Sequence, residues 1–426
     1  MSKTEIITMG CRLNSFESEI IRAHSDSVNL GNSIVINTCA VTAEAERQAR
    51  QTIRKIRRKN PNSKIVVTGC AAQLNPAAFE RMPEIDYVLG NNEKLRRESF
   101  ERIKKLESEV LVDSIFEPKT LSIPQVYGFD GRTRASLQIQ QGCDHRCTFC
   151  VIPFARGNNR SVPEDQLNQQ VKSLVRSGFK EIVLTGVDIC SYGVDFSGKP
   201  RLGKLVSGIL KKNQTLSRLR LSSLDPASLD DEFFCVLRDE ERLMPHLHFS
   251  LQSMDDMVLK RMKRRHNSQH VKDMVLKARK VRPDVVFGAD IIAGFPTESP
   301  KMFFNSVRGV QDIQITYLHV FPYSSRPGTP AAKMPSVSNK IRRRRAAILR
   351  EVGKKEKYRY FRSLLGAKQE VLIEKNNLGL TKHFAKMEVP QKSNKKFQSG
   401  ELINVEVTSI SENQLEGCPL GELKNG

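Results

Sequence analysis

The chain has 426 residues, more than one hydrophobic core usually serves, so two or three domains are expected. Its 69 Lys and Arg against 47 Asp and Glu leave a formal charge of +22, which argues against a polycationic partner and for a polyanion, nucleic acid ahead of membrane. No window holds 18 consecutive apolar residues, and the start MSKTEIITMGCRLN lacks a basic segment followed by an apolar run, so no membrane contact and a cytoplasmic location are expected.

Residues 3 to 107 alternate β-branched runs with amphipathic stretches. KTEIITMG precedes FESEIIRAH, SIVINT precedes a helix from about Glu44 to Lys59, and KIVVTG precedes a short helix near Pro76. DYVLG and a helix to about Leu106 complete the pattern, which is that of a doubly wound parallel α/β sheet occupying residues 1–112. Residues 113–134, with PKTLSIPQ and FDGRTR, read as a linker. From 135 to 366 a second alternation supplies the strand candidates ASLQIQ, EIVLTG, RLRLSS, HLHFSL, VVFGADIIAG and ITYLHVF. Six βα units predict a partial (β/α)6 barrel with its chemistry on the loops after the strands. Its last helix, NKIRRRRAAILREVGKKEKYRYFR, carries eleven Lys and Arg against two Glu. KQEVLIEK, LTKHFAKMEVP and ELINVEVTSI then read as strands of a small all-β barrel of the OB type over residues 367–426.

Nine cysteines, an odd number, argue for metal ligation or catalysis over a disulfide framework in a reducing cytosol. Cys143, Cys147 and Cys150 follow the first barrel strand in QQGCDHRCTFCVIPFARG. Structural zinc wants four ligands, and His145 is only two residues from each neighbouring cysteine, where it competes for the same metal. A cubane cluster takes four thiolates, so three from the protein leave one iron open to a small ligand. Cys11, Cys39 and Cys70 are far apart, but each ends an apolar strand: EIITMGC, IVINTC and IVVTGC. Carboxyl ends of parallel strands share one edge, so these thiols can meet there; the alternative is three unrelated small core residues. Cys190, Cys235 and Cys418 have no partner at ligand spacing and read as structural.

C-x3-C-x2-C after the first barrel strand, with Phe149 before the last cysteine, resembles the signature of radical S-adenosylmethionine (SAM) enzymes. That resemblance implies a [4Fe-4S] cluster on Cys143, Cys147 and Cys150, whose open iron chelates SAM. Gly186, Asp188, Ser222, Ser223, Gln252 and Asp290 lie at or beyond predicted strand ends and are candidates to hold SAM, with turn or helix-cap roles as the alternative for each. Taken with Cys11, Cys39 and Cys70, the phrases TMGCRLNSFESE, INTCAVT, TGCAAQ, DIIAGFPTE and FPYSSRPGTPAAKMP resemble the methylthiotransferases over nearly the whole chain.

What this resemblance implies is a second [4Fe-4S] cluster on Cys11, Cys39 and Cys70 holding the sulfur to be transferred. It also implies two SAM molecules per turnover and a reductase or flavodoxin-type electron donor. The terminal barrel resembles the RNA-binding TRAM domain. Within the family, HVFPYSSRPGTPAAKM, SSLDP and GVDICSYG look most similar to the branch that converts threonylcarbamoyladenosine beside the tRNA anticodon to its 2-methylthio derivative. Isopentenyladenosine in tRNA and a ribosomal-protein aspartate are the targets of the other branches. An anticodon stem-loop partner and a monomeric enzyme follow as expectations. Arg156 and Arg160 are candidates for a phosphate or carboxylate clamp. Arg342, Arg343, Arg344 and Arg345 are candidates for RNA phosphates, with Arg47, Arg50 and Arg54 on the N-terminal helix. Where the TRAM pattern has Asn-Tyr, this chain has His383 and Phe384, so stacking by Phe384 survives without a phenol hydrogen bond.

Overall fold

The computed structural model describes residues 4–106, 110–117, 121, 123–129, 131–390 and 397–420. β-Branched runs form β1 (Glu5–Thr8), β2 (Ser33–Thr38), β3 (Lys64–Gly69), β4 (Tyr87–Leu89) and β5 (Val110–Leu111). All five are parallel and lie side by side in chain order. The connecting helices are α1 (Arg12–Ser27), α2 (Ala43–Lys59), α3 (Cys70–Leu74), α4 (Pro76–Glu80) and α5 (Arg97–Lys105). Both faces of the sheet are covered. Ile53 and Ile56 of α2 bury against Ile34, Ile36, Ile65 and Val67, whereas Ile21, Phe100 and Ile103 bury against Val35, Val66 and Leu89 on the opposite face. The Thr42 hydroxyl accepts from the Ala45 amide at 3.1 Å and starts α2, whose last turn carries Arg57, Arg58 and Lys59 against the helix dipole.

Part of the stretch 113–134 lies outside the described residues; in the remainder Leu121, Val126 and Phe129 are buried in the core of the next unit. That unit comprises β6 (Arg134–Gln138), the hairpin β7 (Gln140–Gln141) and β8 (Arg160–Ser161), β9 (Glu181–Thr185), β10 (Arg218–Leu221), β11 (Ser223–Leu224), β12 (His246–Gln252), β13 (Val286–Ala293) and β14 (Tyr317–Pro322). The chain passes from β10 to β11 across Ser222, so two parallel sheets join as six strand positions of a partial barrel. Strand alternation sorts its side chains. Leu137, Ile182, Leu219, Phe249, Phe287 and Val320 point into the apolar cluster under the helices. The other register, including Arg134, Ser136, Glu181, Arg220, His248 and Asp290, gives the barrel a polar lumen. Helix α1 lies along the edge strand β6, and the long helix Asn339–Ser363 lies along β14.

The C-terminal unit is a closed five-stranded barrel of β15 (Lys368–Ile373), β16 (Leu378–Thr381), β17 (Lys386–Glu388), β18 (Leu402–Ile410) and β19 (Leu415–Pro419). LTKHFAKMEVP, read from sequence as one strand, is instead two strands with a tight turn between them, in which Phe384 takes a left-handed φ of 68°. This barrel docks under the larger one, at the amino ends of its strands. Arg218 donates to Glu370 Oε1 at 2.8 Å and to Leu380 O at 3.1 Å, and Arg220 donates to Lys382 O at 3.1 Å. Phe384 stacks on His246 at 4.7 Å, with the guanidiniums of Arg12, Arg134 and Arg220 within 5.7 Å of its ring centre. The ring therefore plugs the lumen from below and cannot stack on RNA, contrary to the role expected for Phe384. Phe384→Ala is expected to cost about 2 to 3 kcal/mol of docking energy. Limited proteolysis should cut the 378–390 segment faster in the variant; unchanged protection would mean that Arg218 and Arg220 suffice to hold the barrels together.

Candidate active site

The loop after β7 carries Cys143, Cys147 and Cys150, and its ends are tied by the antiparallel pairing of Gln140 with Ser161 and Gln141 with Arg160. Further in, the Thr148 amide donates to Met262 O at 3.1 Å and Thr148 O accepts from the Ala331 amide at 2.9 Å. The three thiols converge. Burial, with Asp188 and the other two thiols nearby, pushes Cys143 up to about 12; burial and Cys147 push Cys150 up to about 11. Arg264 Nη1 lies 3.7 Å from Cys147 Sγ. His145 Nε2 lies 3.2 Å from Asp188 Oδ2, on the wall of the cavity that the thiols also line.

Beside the thiols is a cavity of about 160 Å³ lined by Phe149, Asp188, Ser223, Asp225, Ser250, Gln252 and Arg264. Of the residues expected to hold SAM, Phe149, Asp188, Ser223 and Gln252 are therefore on its wall. Gly186 and Ser222 are not. A Cβ on Gly186 would sit 2.8 Å from Gln140 O, and the amides of Val187 and Asp188 donate to Gln140 Oε1, so Gly186 serves loop packing. The Ser222 amide bonds Leu184 O where the sheet bends. Gln252 reaches the cavity through a break in the β12 register and a φ of 68°. Asp290 Oδ1 accepts from His248 Nε2 at 3.0 Å and His319 Nδ1 at 3.2 Å; against the opposing effect of burial, these two imidazoles hold it down to about 2. It lines a neighbouring cavity of about 200 Å³ instead, which shares Phe149, Cys150, Ile152 and Gln252 with the first and extends to Val41 and Thr42 of the N-terminal domain. Ser324 Oγ accepts from the Ala43 amide at 3.1 Å, and Arg326 pairs with Glu46, so the two domains are fastened at this rim.

The second triplet stands at the carboxyl edge of the N-terminal sheet. Cys11 caps α1, Cys39 follows β2 and Cys70 opens α3. Burial pushes Cys39 up to about 11, with the Cys70 and Cys11 thiols close enough to add to the rise. A Cβ on Gly10, whose φ is 87°, would fall 2.7 Å from Cys39 Sγ, so only glycine leaves that space open. Buried Arg156 donates from Nε to Cys70 Sγ at 3.2 Å, from Nη1 to Glu17 Oε1 at 2.7 Å and from Nη2 to Asn14 Oδ1 at 2.6 Å. Lys94 Nζ, also buried, donates to Glu17 Oε2 at 2.6 Å. Two cations against one carboxylate leave a positive charge facing Cys70, which suits an anionic thiolate-bound cluster. Arg156 ends the helix Ile152–Arg156 that starts two residues after Cys150, so this one side chain joins the two cysteine sets.

The arginines expected to clamp RNA are mostly committed elsewhere. Arg156 and Arg160 are buried, Arg160 donating to Arg156 O at 3.2 Å; Arg345 is buried on Glu298 Oε2 at 2.7 Å. These three cannot reach an RNA backbone, because each is an internal counter-charge or hydrogen-bond donor. Arg342 donates to Tyr323 O at 2.8 Å and is half-buried, which leaves Arg343 and Arg344 exposed on this helix, as Arg47, Arg54, Lys55 and Arg58 are on α2. Sequence reasoning missed Asp225, held by Arg264 and Arg265 at 3.2 and 2.9 Å, and the Glu17–Lys94 pair. No local pattern signals them; Asp225 in SSLDP was overshadowed by the serines before it. It also missed Arg12, whose guanidinium lies half-buried in the lumen; burial, with Arg134 and Arg220, lowers it to about 10, and it stays cationic at neutral pH. Among the described residues no helix is long and apolar enough to cross a membrane.

Residues 137–308 match the model of the radical SAM superfamily, and residues 3–90 match that of the uncharacterized protein family UPF0004. A relative from Rickettsia prowazekii, named threonylcarbamoyladenosine tRNA methylthiotransferase MtaB, is 47% identical over 97% of each chain. A tRNA-2-methylthio-N(6)-dimethylallyladenosine synthase from Bartonella tribocorum is 32% identical over 88% of this chain and 86% of its own. The radical SAM methyltransferase TsrM from Kitasatospora setae, solved with cobalamin and a [4Fe-4S] cluster, covers 78% of this chain and 77% of its own at a TM-score of 0.57; at 16% identity the likeness is one of fold.

Proposed function

Because the chain belongs to the radical SAM methylthiotransferase family, we propose that it converts threonylcarbamoyladenosine beside the anticodon of tRNA to its 2-methylthio derivative. Enzymes of this family use SAM and two [4Fe-4S] clusters. On this reading Cys143, Cys147 and Cys150 hold the cluster that, with SAM, supplies a 5′-deoxyadenosyl radical, and Cys11, Cys39 and Cys70 hold the one that supplies sulfur. The observation that carries it is the juxtaposition of two converging cysteine triplets, tied by Arg156 and separated by a cavity with Thr42 on one wall and Cys150 and Gln252 on the other. A base inserted there lies against Cys150 on one side and, at Val41 and Thr42, against the loop that carries Cys39 on the other.

The protein's own task is placement. Asp188, Ser223, Ser250 and Arg264 offer carboxylate, hydroxyl, carbonyl and guanidinium groups to the polar ends of SAM, and Phe149 and Ile152 exclude water from the reacting C–H. Arg343, Arg344 and the exposed cations of α2 supply phosphate contacts to an anticodon stem-loop. The enzyme is read as a cytoplasmic monomer, with the small β-barrel as a TRAM-like domain and a reductase or flavodoxin-type electron donor. The substrate is supported by the 47% identity over the full length, against 32% for the relative named for dimethylallyladenosine.

The test is anaerobic turnover with SAM and dithionite on two anticodon stem-loops, one carrying threonylcarbamoyladenosine and one isopentenyladenosine, followed by mass spectrometry of the nucleosides. The 2-methylthio product is expected from the first. Product from the second alone would replace this substrate with the other.

A further inference from the structure

We propose that Arg12 is the carboxylate-recognition residue of this site: its guanidinium binds the free carboxylate of the threonylcarbamoyl group while the base lies between the two cysteine sets. The inference rests on the substrate reading above and deepens it.

Arg12 directly follows Cys11 and is the first residue of α1. Its half-buried side chain reaches the lower part of the barrel lumen, where it lines a cavity of about 420 Å³ with Ser136 of β6 and Val183 of β9 on one wall. The far wall is Arg132 with Glu374, Lys375 and Leu378 of the small barrel, and the guanidinium carbon is 5.7 Å from the Phe384 ring centre. Asp290, within electrostatic reach of Arg12, belongs to the upper cavity shared with Gln252, Phe149 and Cys150. The side chain thus spans from a cluster-ligand position down into the interior that a base substituent would enter.

Every acidic group around it is already taken, and Arg132 and Lys375 line the same cavity as further cations. Glu181 takes Arg220 at 2.7 Å and lies 3.6 Å from Arg218; Glu370 takes Arg218 at 2.8 Å; Glu374 takes Arg134 at 3.0 Å. Asp290 is occupied by His248 and His319. Arg12 makes no hydrogen bond or ion pair among the described residues, and Arg134 and Arg220 repel it. Desolvating a cation among like charges is unfavourable unless an anion completes the set, and a guanidinium offers a planar two-donor fork matched to a carboxylate. The isopentenyl group carries no charge and gains nothing from such a residue. The acidic substituent does. An RNA phosphate shares the chemistry, so the test separates the two sources.

Three anticodon stem-loops are compared in binding by fluorescence anisotropy and in kcat/KM for methylthiolation: the threonylcarbamoyl form, its carboxamide analogue and the isopentenyl form. Wild-type enzyme is expected to prefer the acid over the carboxamide by roughly 10 to 100-fold, the range of a charge-assisted hydrogen bond. In Arg12→Gln that preference should fall to within about twofold of unity, and Arg12→Lys should recover part of it. Iron content near the wild-type value in both variants would show that Cys11 still ligates. Equal losses on acid and carboxamide in Arg12→Gln would assign Arg12 to an RNA phosphate or to folding and overturn the proposal, as would a wild-type enzyme indifferent to the carboxylate. Wild-type turnover of the isopentenyl loop alone sinks the substrate reading itself, a result distinct from either.

Discussion

Cys147→Ala is expected to reduce 5′-deoxyadenosine formation from SAM to background while leaving about four irons per chain, against about eight in the wild type. Two thiols do not suffice for the barrel cluster, and the groups beside the third are a cation, the Arg264 guanidinium 3.7 Å from Cys147 Sγ, and His145, whose Nε2 is paired with Asp188 at 3.2 Å. The N-terminal triplet does not depend on that loop for its backbone: it is set by β1, β2 and β3, whereas the barrel loop is anchored on Met262, Arg261 and Ala331. The reciprocal variant, Cys39→Ala, should keep 5′-deoxyadenosine formation and lose the 2-methylthio product. Iron and sulfide quantitation of anaerobically reconstituted protein, with product analysis, reads both. Loss of all iron in Cys147→Ala, or methylthio product from Cys39→Ala, contradicts the division of the six thiols into two sets.

Glu17→Gln is expected to destabilise the protein by about 3 to 5 kcal/mol, because it strips from two buried cations the carboxylate they share. Lys94 Nζ and Arg156 Nη1 lie 2.6 and 2.7 Å from its oxygens, and all three side chains are shielded from water. The same site predicts a pH dependence. Burial opposes the charge on Glu17, but Arg156 and Lys94 together outweigh it and hold the carboxyl below its ordinary range. A depressed folded-state pKa contributes stability that is complete above the unfolded value of about 4.3 and is lost as the pH falls through the folded value. Urea midpoints of apo protein should therefore hold in the wild type from pH 7 down to about 4.3, begin to fall only below it, and approach those of Glu17→Gln only once the pH is below the depressed folded-state value. A variant within about 0.5 kcal/mol of wild type at pH 7 would mean that the buried pair is held open to water.

Arg345 shows how a basic run misleads when it is read by composition. Within RRRRAAILREVG the buried positions are Arg345, Ala346, Leu349 and Gly353, one face of a helix, and Arg345 is buried because that face meets Glu298 on a neighbouring turn. The helical period marked the face; only the partner decided that a charge could sit on it.

What the sequence determined by itself is local and periodic. Short β-branched apolar runs made the strands, a cysteine at the same offset after β1, β2 and β3 brought three thiols to one sheet edge, and C-x3-C-x2-C placed three more in one loop. What tertiary structure alone decided is the fate of the charged and aromatic residues. Arg156 reads as a surface clamp until Glu17, 139 residues away, lies beside it; Phe384 reads as an RNA platform until His246 lies under its ring; Arg12 reads as a solvated helix start until the lumen encloses it. Backbone pattern depends on near neighbours in the chain, whereas the worth of a charge depends on which distant partner, or which absence of one, shares its low-dielectric surroundings.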